Sequence, residues 1–502
     1  MLVAGIVTLA RSSAAPHPLQ AAAAPRGAQL FREKGLQIEA WVMGSELFGG
    51  GGSAADREIG RSNFFDSDFT PTFYNPPYWS PGLMDDPRAS SWSTASDRKY
   101  NAAPPSSNAT VLTPDQAPHA ASLRSICFGD EEQWNATRLL PAWGAWAALA
   151  HAQVPGAIVH TNQWLGEFSF ADYVALLAAV PVDMVVIDNY DFPGGMPAGA
   201  EPRNTSTVGL LQACATVRDT SLAAPAAGSP PLPFGYYVQG YETHTGYQLS
   251  SAQIRAGYFL PLALGAKWLN MFRWAAPWIG TDSADGQRTA AYYTFQRANR
   301  ASRALSPLLS QLQTAPDPLG MQWVGGRHVD PGNGSTVANP QPTFYGSKHQ
   351  WPGPPQPVPA FAPGRAIANV TARNLGQSNR GLPEDVLVTR FVMLPRASIP
   401  GINSTADGGG AAASPYSFVS VFNGLAPNVP DEMHSSGPAL GEMEIMMALM
   451  PAVQRLREWS TELGGGWIDI PLAPIGATGG GPRQVRVAME GGSARFFCAT
   501  LE

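Results

Sequence analysis

From residue 122 to about 300 the chain alternates two kinds of segment. Short β-branched or aromatic runs at Leu123–Phe128, Ala157–His160, Met184–Ile187, Phe234–Val238 and Trp268–Phe272 are separated by Trp134–His151, Phe170–Val180, Thr207–Arg218 and Ser250–Leu264. The longer segments are rich in Ala and Leu and hold three or more helical turns, so the pattern predicts a βα repeat with parallel strands. Polar residues gather just after the strands: Asp130-Glu131-Glu132, Asn162-Gln163-Trp164, Asp188-Asn189-Tyr190-Asp191, Gln239 to Glu242 and Arg273-Trp274. In a TIM barrel those positions share one rim, the active face.

Upstream, Gly35 to Val42 reads as one more strand led in by a helix end. The stretch 45–120 that follows has aromatics and prolines but no helical period, and is expected to be a large rim insertion or to conceal further elements. Its Phe64, Phe65, Phe69, Phe73, Tyr74, Tyr78, Trp79 and Trp92 would either stack on sugars or pack the loop onto the barrel, with packing the favoured reading. Beyond Leu312 the period changes. Val386–Val392, Ser417–Phe422, Trp467–Ile470, Gln484–Ala488 and Ala494–Thr500 are short, β-rich and divided by Gly/Pro turns, as in a sandwich. The expected architecture is an α/β TIM barrel with six of its eight strands visible and its N-terminal part incomplete, followed by an all-β sandwich. The expected boundaries are a leader or low-complexity segment at 1–30, a barrel at 31–315 with an insertion at about 45–120, a Pro/Gly-rich linker or loop at 316–380, and a β-sandwich domain at 381–502.

Composition narrows the partners. The chain has 502 residues, 14% of them charged, with 52 Gly and 47 Pro, a globular make-up with long loops. A formal charge of -6 with no basic block speaks against nucleic acid. No apolar stretch is long enough for a membrane span. Cys127, Cys214 and Cys498 allow at most one disulfide and lack the spacing of a zinc site. Asn-x-Ser/Thr sites at Asn108, Asn135, Asn204, Asn333, Asn369 and Asn403 favour a secretory route and an extracellular destination. The N-terminal MLVAGIVTLARSSAAPHP fits a weak signal peptide, an organellar transit peptide or a mis-started reading frame equally.

Glu131 follows a strand end, where burial beside aromatics raises a carboxyl pKa toward general-acid duty; the competing reading is that Glu131 and Glu132 merely open a helix and meet its dipole. His160 and His244 lack metal-ligand spacing, and no metal or cofactor is expected. The chain has no G-x-S-x-G, H-E-x-x-H or G-x-x-x-x-G-K-[ST], so serine hydrolase, zincin and P-loop chemistries lack their parts.

The ordered set ICFGDEEQW, VDMVVIDNYDF, FGYYVQGYE and AQIRAGYFLPLALGAKWLNMFRW resembles the second half of TIM-barrel glycoside hydrolases related to the β-galactosidase-like group. The resemblance covers about residues 120–275 and implies a glycosidase acting on a carbohydrate. Glu131 then matches the acid/base glutamate after the fourth barrel strand, with Asp130 where the family has Asn. On that count 37–42 becomes the third strand and 268–272 the eighth, and two strands are missing. The family places its nucleophile at the end of the seventh strand, where this chain has Gln239, with Glu242 three residues later as the candidate. Asp130, Asn162, Asp188, Tyr190, Gln239 and Trp274 are the expected sugar contacts, with Asp188 and Asp191 alternatively serving as a base and Trp274 and Trp278 alternatively packing beneath the loops. The alternative is a carbohydrate-binding or scaffold protein of the same fold without catalysis. The sequence does not bear on oligomeric state.

Overall fold

The computed structural model describes residues 18–42, 62–64, 66–74, 91–93, 103–112, 114, 117–132, 135–164, 168–190, 192, 207–223, 231–240, 249–274, 288–315, 321–324, 327–329, 336–338, 366–375, 385–402, 414–427, 441–473 and 482–502. Eight strands form one all-parallel sheet: β1 (Gln37–Val42), β2 (Thr70–Tyr74), β3 (Ser91–Ser93), β4 (Ser125–Asp130), β5 (Ile158–Trp164), β6 (Val185–Asp188), β7 (Phe234–Gln239) and β8 (Trp268–Phe272). Their order is β3-β2-β1-β8-β7-β6-β5-β4, and β3 lies against β4, so the sheet curls round on itself in chain order. This is a TIM-barrel-like fold.

Two expectations are corrected by that order. The strand at 37–42 is the first of the barrel, not the third, because it pairs with β8 on one side and β2 on the other. The two strands thought missing are β2 and β3, inside the stretch expected to be a loop insertion, so eight strands are present where six were visible. The numbering of 125–130 as the fourth strand and 268–272 as the eighth stands. The five strands β4 to β8 run parallel in chain order, as the alternation predicts.

Helices α1 (Pro18–Lys34), α2 (Ala136–Gln153), α3 (Phe170–Ala179), α4 (Val208–Ala223), α5 (Ser251–Ala263) and α6 (Ala290–Leu309) surround the sheet. Local chemistry fixes where several begin. Ser169 and Asp172 form a reciprocal capping box on α3, Ser250 and Gln253 do the same on α5, and Asn135 caps α2. Strand alternation then sorts the core. Ile38, Phe128, Val159, Ile187, Val238 and Leu269 face outward and pack with the helices. Trp41, Cys127, Ile158, Val186, Tyr237 and Trp268 face inward, and Leu30 and Phe31 of α1 join that inner cluster. At the N-terminal end, the Arg26 guanidinium pairs with the fully buried Asp183, whose carboxylate also accepts from the Val159 N–H at 2.8 Å.

The C-terminal part consists of antiparallel sheets. Strands β9 (Leu312–Thr314), β10 (Met321–Val324), β14 (Val386–Met393), β15 (Tyr416–Asn423), β17 (Val453–Trp459), β18 (Trp467–Ile470) and β20 (Ala494–Leu501) make one; β13 (Ile367–Asn374), β16 (Met443–Leu449) and β19 (Gln484–Met489) make another. Strands β11 (Arg327–Val329) and β12 (Thr336–Ala338) pair with each other. The stretch 316–380, expected as linker or loop, thus contributes β10 to β13. In the seven-stranded sheet Phe418, Phe422 and Phe496 turn one way, into the barrel's apolar cluster, while Val419, Val421 and Phe497 turn the other way, onto the three-stranded sheet. Both faces are covered. Cys127, Cys214 and Cys498 are buried.

The turn between β19 and β20 sets the contact with α5. Gly492 has φ +72°, and a Cβ there would stand 2.1 Å from the Ala252 carbonyl oxygen and 2.7 Å from the Ala256 nitrogen. Gly464 has a similar φ of +70° with open space around it. Gly464→Ala should therefore cost only the backbone strain, about 1 kcal/mol, whereas Gly492→Ala adds a steric clash and should cost roughly 3 kcal/mol. Urea unfolding of the two variants checks the difference; equal losses would show that the turn does not bear on α5.

Candidate active site at the barrel mouth

The inner face of the barrel becomes polar toward its C-terminal end. Side chains two residues apart share a face of a strand, so the inward series of β5 runs Ile158, His160, Asn162, that of β6 runs Val186, Asp188, and that of β7 runs Tyr237, Gln239. The top layer therefore collects Trp41, Asp130, Asn162, Asp188, Gln239 and Phe272. Asn162, Asp188 and Gln239 are all buried. Below them, both Glu39 carboxylate oxygens accept from the Ser125 hydroxyl, the nearer at 3.2 Å. His160 packs its ring on Trp268, 4.9 Å between centroids. Burial lowers the His160 pKa to about 3, so this imidazole is neutral.

At the end of β4 the pairing register shifts between Cys127 and Asp130, a bulge that turns Asp130 toward the mouth. The Asn162 amide donates to Asp130 Oδ1 at 2.8 Å. The next residue, Glu131, adopts φ +46° and donates its N–H to the Asn162 carbonyl oxygen at 3.1 Å. Glu132 N–H in turn donates to Gln163 Oε1 at 3.1 Å. The backbone of 130–132 is thus pinned to β5, and Glu131 stands exposed at the rim.

Electrostatics follow from this crowding. Burial pushes the Asp130 pKa up to about 6, against the Asn162 hydrogen bond that lowers it, and Glu131 and Glu132 add to the rise. Asp188 lies well above the usual carboxylate range, first through burial and then through Glu131. Carboxyls held in a low-dielectric mouth beside other carboxyls retain protons that exposed ones lose.

The expected site residues divide accordingly. Asp130, Glu131, Asn162 and Asp188 come together, and Gln239 joins the same layer. Glu131 does not open a helix, because α2 begins at Ala136 behind its own cap, and Glu132 instead pairs with Arg138 at 3.2 Å. Tyr190 is half-buried and stacks on Phe272, ring centroids 5.9 Å apart. Trp274 is placed otherwise: it is 1% exposed and packs edge-on against Phe64 at 5.0 Å and Phe69 at 6.3 Å, which leaves no ring face for a sugar. For Phe64 and Phe69 the packing reading holds. Glu242, Asp191, Trp278 and His244 lie outside the described residues. Trp41 and Phe272, which meet edge to face at 6.0 Å, belong to the mouth and were not singled out from the sequence; their inward register at strand ends is the signal that marks them. Among the described residues no group of three His, Cys, Asp or Glu is arranged to hold a metal ion, and no helix is long and apolar enough to cross a membrane.

No protein-family model matches the chain, and no curated protein does. Among solved structures the chain is similar to glycoside hydrolases. One described as a glycoside hydrolase has 10% identity over 77% of this chain and 69% of its own, with a TM-score of 0.34. A glucosidase from Croceicoccus marinus has 10% identity over 93% and 96%, TM-score 0.34. An endo-β-1,4-mannanase from Thermotoga petrophila has 9% identity over 79% and 90%, TM-score 0.29. Likenesses of this size decide nothing about chemistry, and the fold rests on the strand pairings above.

The raised Asp130 pKa has a consequence for stability. A carboxyl whose pKa is higher in the folded chain than in the unfolded one binds its proton more tightly when folded, so stability is lost as pH rises from the unfolded value, near 4, through about 6. Asp130→Asn keeps an acceptor for the Asn162 amide and removes the titration. The variant should match the parent near pH 4 and exceed it above pH 7 by on the order of 2 kcal/mol. Thermal melts across pH 4 to 8 check this; a parallel pair of stability curves would show that Asp130 titrates normally.

Proposed function

We propose that the protein hydrolyses O-glycosidic bonds of a carbohydrate, with Glu131 as the general acid/base. The observation that carries this reading is the Glu131 carboxyl after the fourth strand of an eight-stranded barrel, exposed at a rim where burial raises the pKa of Asp130 and Asp188. In the first step Glu131 gives its proton to the glycosidic oxygen as the bond to the anomeric carbon breaks, and the bonding electrons leave with that oxygen. Glu131, now a carboxylate, later takes a proton from the water that attacks the sugar. Asn162, Asp188, Tyr190 and Gln239 are the proposed contacts for sugar hydroxyls, and Glu242 is the proposed nucleophile of a double displacement. Passage through a secretory route belongs to the same proposal: Asn108, Asn135 and Asn369 are exposed acceptor positions.

One observation favours a second reading, a carbohydrate-binding protein without catalysis. Gln239 occupies the end of the seventh strand, 5% exposed, and its Oε1 has no partner among the described residues. An amide there binds a hydroxyl but attacks nothing.

Aryl glycosides with poor and good leaving groups separate the readings. Glu131→Gln should reduce cleavage of the poor leaving group by roughly 10²–10⁴-fold and spare the first step on the good one, which needs no proton. Glu242→Gln should abolish both. A folded parent that binds sugars by calorimetry but cleaves no glycoside would support the binding protein instead.

A further inference from the structure

We propose that Gln163, on the outer wall of the barrel, is the positioning residue that holds Glu131 at the mouth, by accepting the backbone N–H of the residue that follows it. The proposal rests on the reading of Glu131 as acid/base, and adds to it a side chain that touches neither the sugar nor the transferred proton.

The outer face of the parallel strands is largely an apolar wall. On β5 that face carries Val159, Thr161 and Gln163, and Gln163 stands opposite Ile187 of β6. Val159 and Ile187 belong to the apolar cluster packed with the helices. Gln163 is 0% exposed in the same wall. An amide taken out of water is costly unless a partner meets it, so a glutamine where an aliphatic side chain would fill the space calls for a bond that such a side chain cannot make. That bond runs to the rim: Gln163 Oε1 accepts from the Glu132 backbone N–H at 3.1 Å. Its Nε2 has no partner among the described residues, so the acceptor is what this amide contributes.

The bond completes the attachment of the rim to β5. Strand pairing between β4 and β5 ends with Asp130 opposite Asn162. Beyond that point the chain stays bound through two successive N–H groups, Glu131 to the Asn162 carbonyl at 3.1 Å and Glu132 to Gln163. Successive N–H groups of a regular strand point to opposite sides. Here both reach β5, because Glu131 is left-handed at φ +46°. A non-glycine residue pays for that conformation and keeps it only where its surroundings hold it. The two bonds bracket the Glu131 Cα, and so fix the direction in which its side chain leaves the rim.

Other fastenings do less. Glu132 pairs with Arg138 at 3.2 Å, but through side chains that reach solvent, where an ion pair contributes little. Helix α2 begins only at Ala136, behind the Asn135 cap, and does not order 131–132.

Hydrogen exchange in the full chain reads the hold without a substrate. In the parent the Glu132 amide should exchange slower than its intrinsic rate by about tenfold or more. Gln163→Met keeps the length and apolar bulk of the side chain and removes the oxygen. It should speed exchange at Glu132 about tenfold, the size of one hydrogen bond, and at Glu131 with it. Gln163→Glu, which keeps an acceptor there, and Arg138→Ala should both stay near the parent rates. Aryl glycosides supply the kinetic readout: Gln163→Met should lower kcat on a poor leaving group roughly 10–10²-fold with KM held within about twofold, and spare the first step on a good one.

A Glu132 amide that exchanges at its intrinsic rate in the parent would overturn the proposal before any variant is made. Unchanged exchange in a folded Gln163→Met would do the same, as would a loss in Arg138→Ala as large as in Gln163→Met. Equal kcat losses on both leaving groups would leave Gln163 a packing residue and overturn the positioning role. A parent that cleaves no glycoside would reject the hydrolase reading, and the exchange rates would then decide alone whether Gln163 holds Glu131.

Discussion

A parallel sheet that closes on itself leaves its strands no choice about where they end. All eight point the same way, so every C-terminal strand end of the barrel opens on one mouth, and every side chain facing inward there must share a small volume with its neighbours. The rest of the molecule follows from that constraint. Outward-facing apolar residues are covered by the helices, and Leu30 and Phe31 of α1 join the inward apolar cluster. At the upper inward layer Asn162 Oδ1, Asp188 Oδ1 and Gln239 Oε1 are buried and find no partner among the described residues, so a ligand at the mouth has acceptors to meet there.

The antiparallel sheets solve a different problem. A barrel with helices outside needs no further cover, yet α5 is buried over most of its length, which an ordinary barrel helix is not. The seven-stranded sheet accounts for this. Ser420 donates to the Ala263 carbonyl at the end of α5, and Ser250 at its start donates to the Pro427 carbonyl. Thr207, just before α4, donates to the Gly424 carbonyl. The sheet is therefore fastened to the same helices that brace β6 and β7, the strands that carry Asp188 and Gln239. Its strands also begin within 312–324, directly after α6, which binds the two parts covalently close to where they pack.

Much of this was legible in the sequence, and the failures have physical causes. The strands at 125–130, 158–164, 185–188, 234–239 and 268–272 announce themselves because both their faces are buried, which forces continuous apolar runs. Thr70–Tyr74 and Ser91–Ser93 do not: one carries Pro71, the other is three residues long, and neither has an apolar run to distinguish it from the aromatics around it. Missing them shifted the count of the first strand by two while leaving the fourth and eighth correct, because those were anchored by motif and not by counting. Trp274 misled for a related reason. A tryptophan after a strand end looks like a platform for sugars, but the chain direction after β8 sends it into the wall, where its backbone N–H donates to the Trp41 carbonyl at 2.9 Å and Phe64 packs edge-on against its ring.

The crowding of carboxyls at the mouth could not be read at all from spacing, because it depends on three strands at once. Fifty-odd residues separate Glu131 from Asp188 in the chain, and what brings them to one mouth is a bulge in β4, a left-handed residue after it, and an asparagine on β5 that donates to Asp130 and accepts from the Glu131 N–H. Each of these is a local irregularity that sequence patterns treat as noise. Together they crowd the Asp130, Glu131 and Asp188 carboxyls into one mouth, where burial and like charge raise the Asp130 and Asp188 pKa values. A neutral polyhydroxylated ligand suits such a mouth, since its hydroxyls bring donors to acceptors such as Gln239 Oε1 and Asp188 Oδ1, which have no partner among the described residues. An anionic ligand would meet like charge there and be repelled.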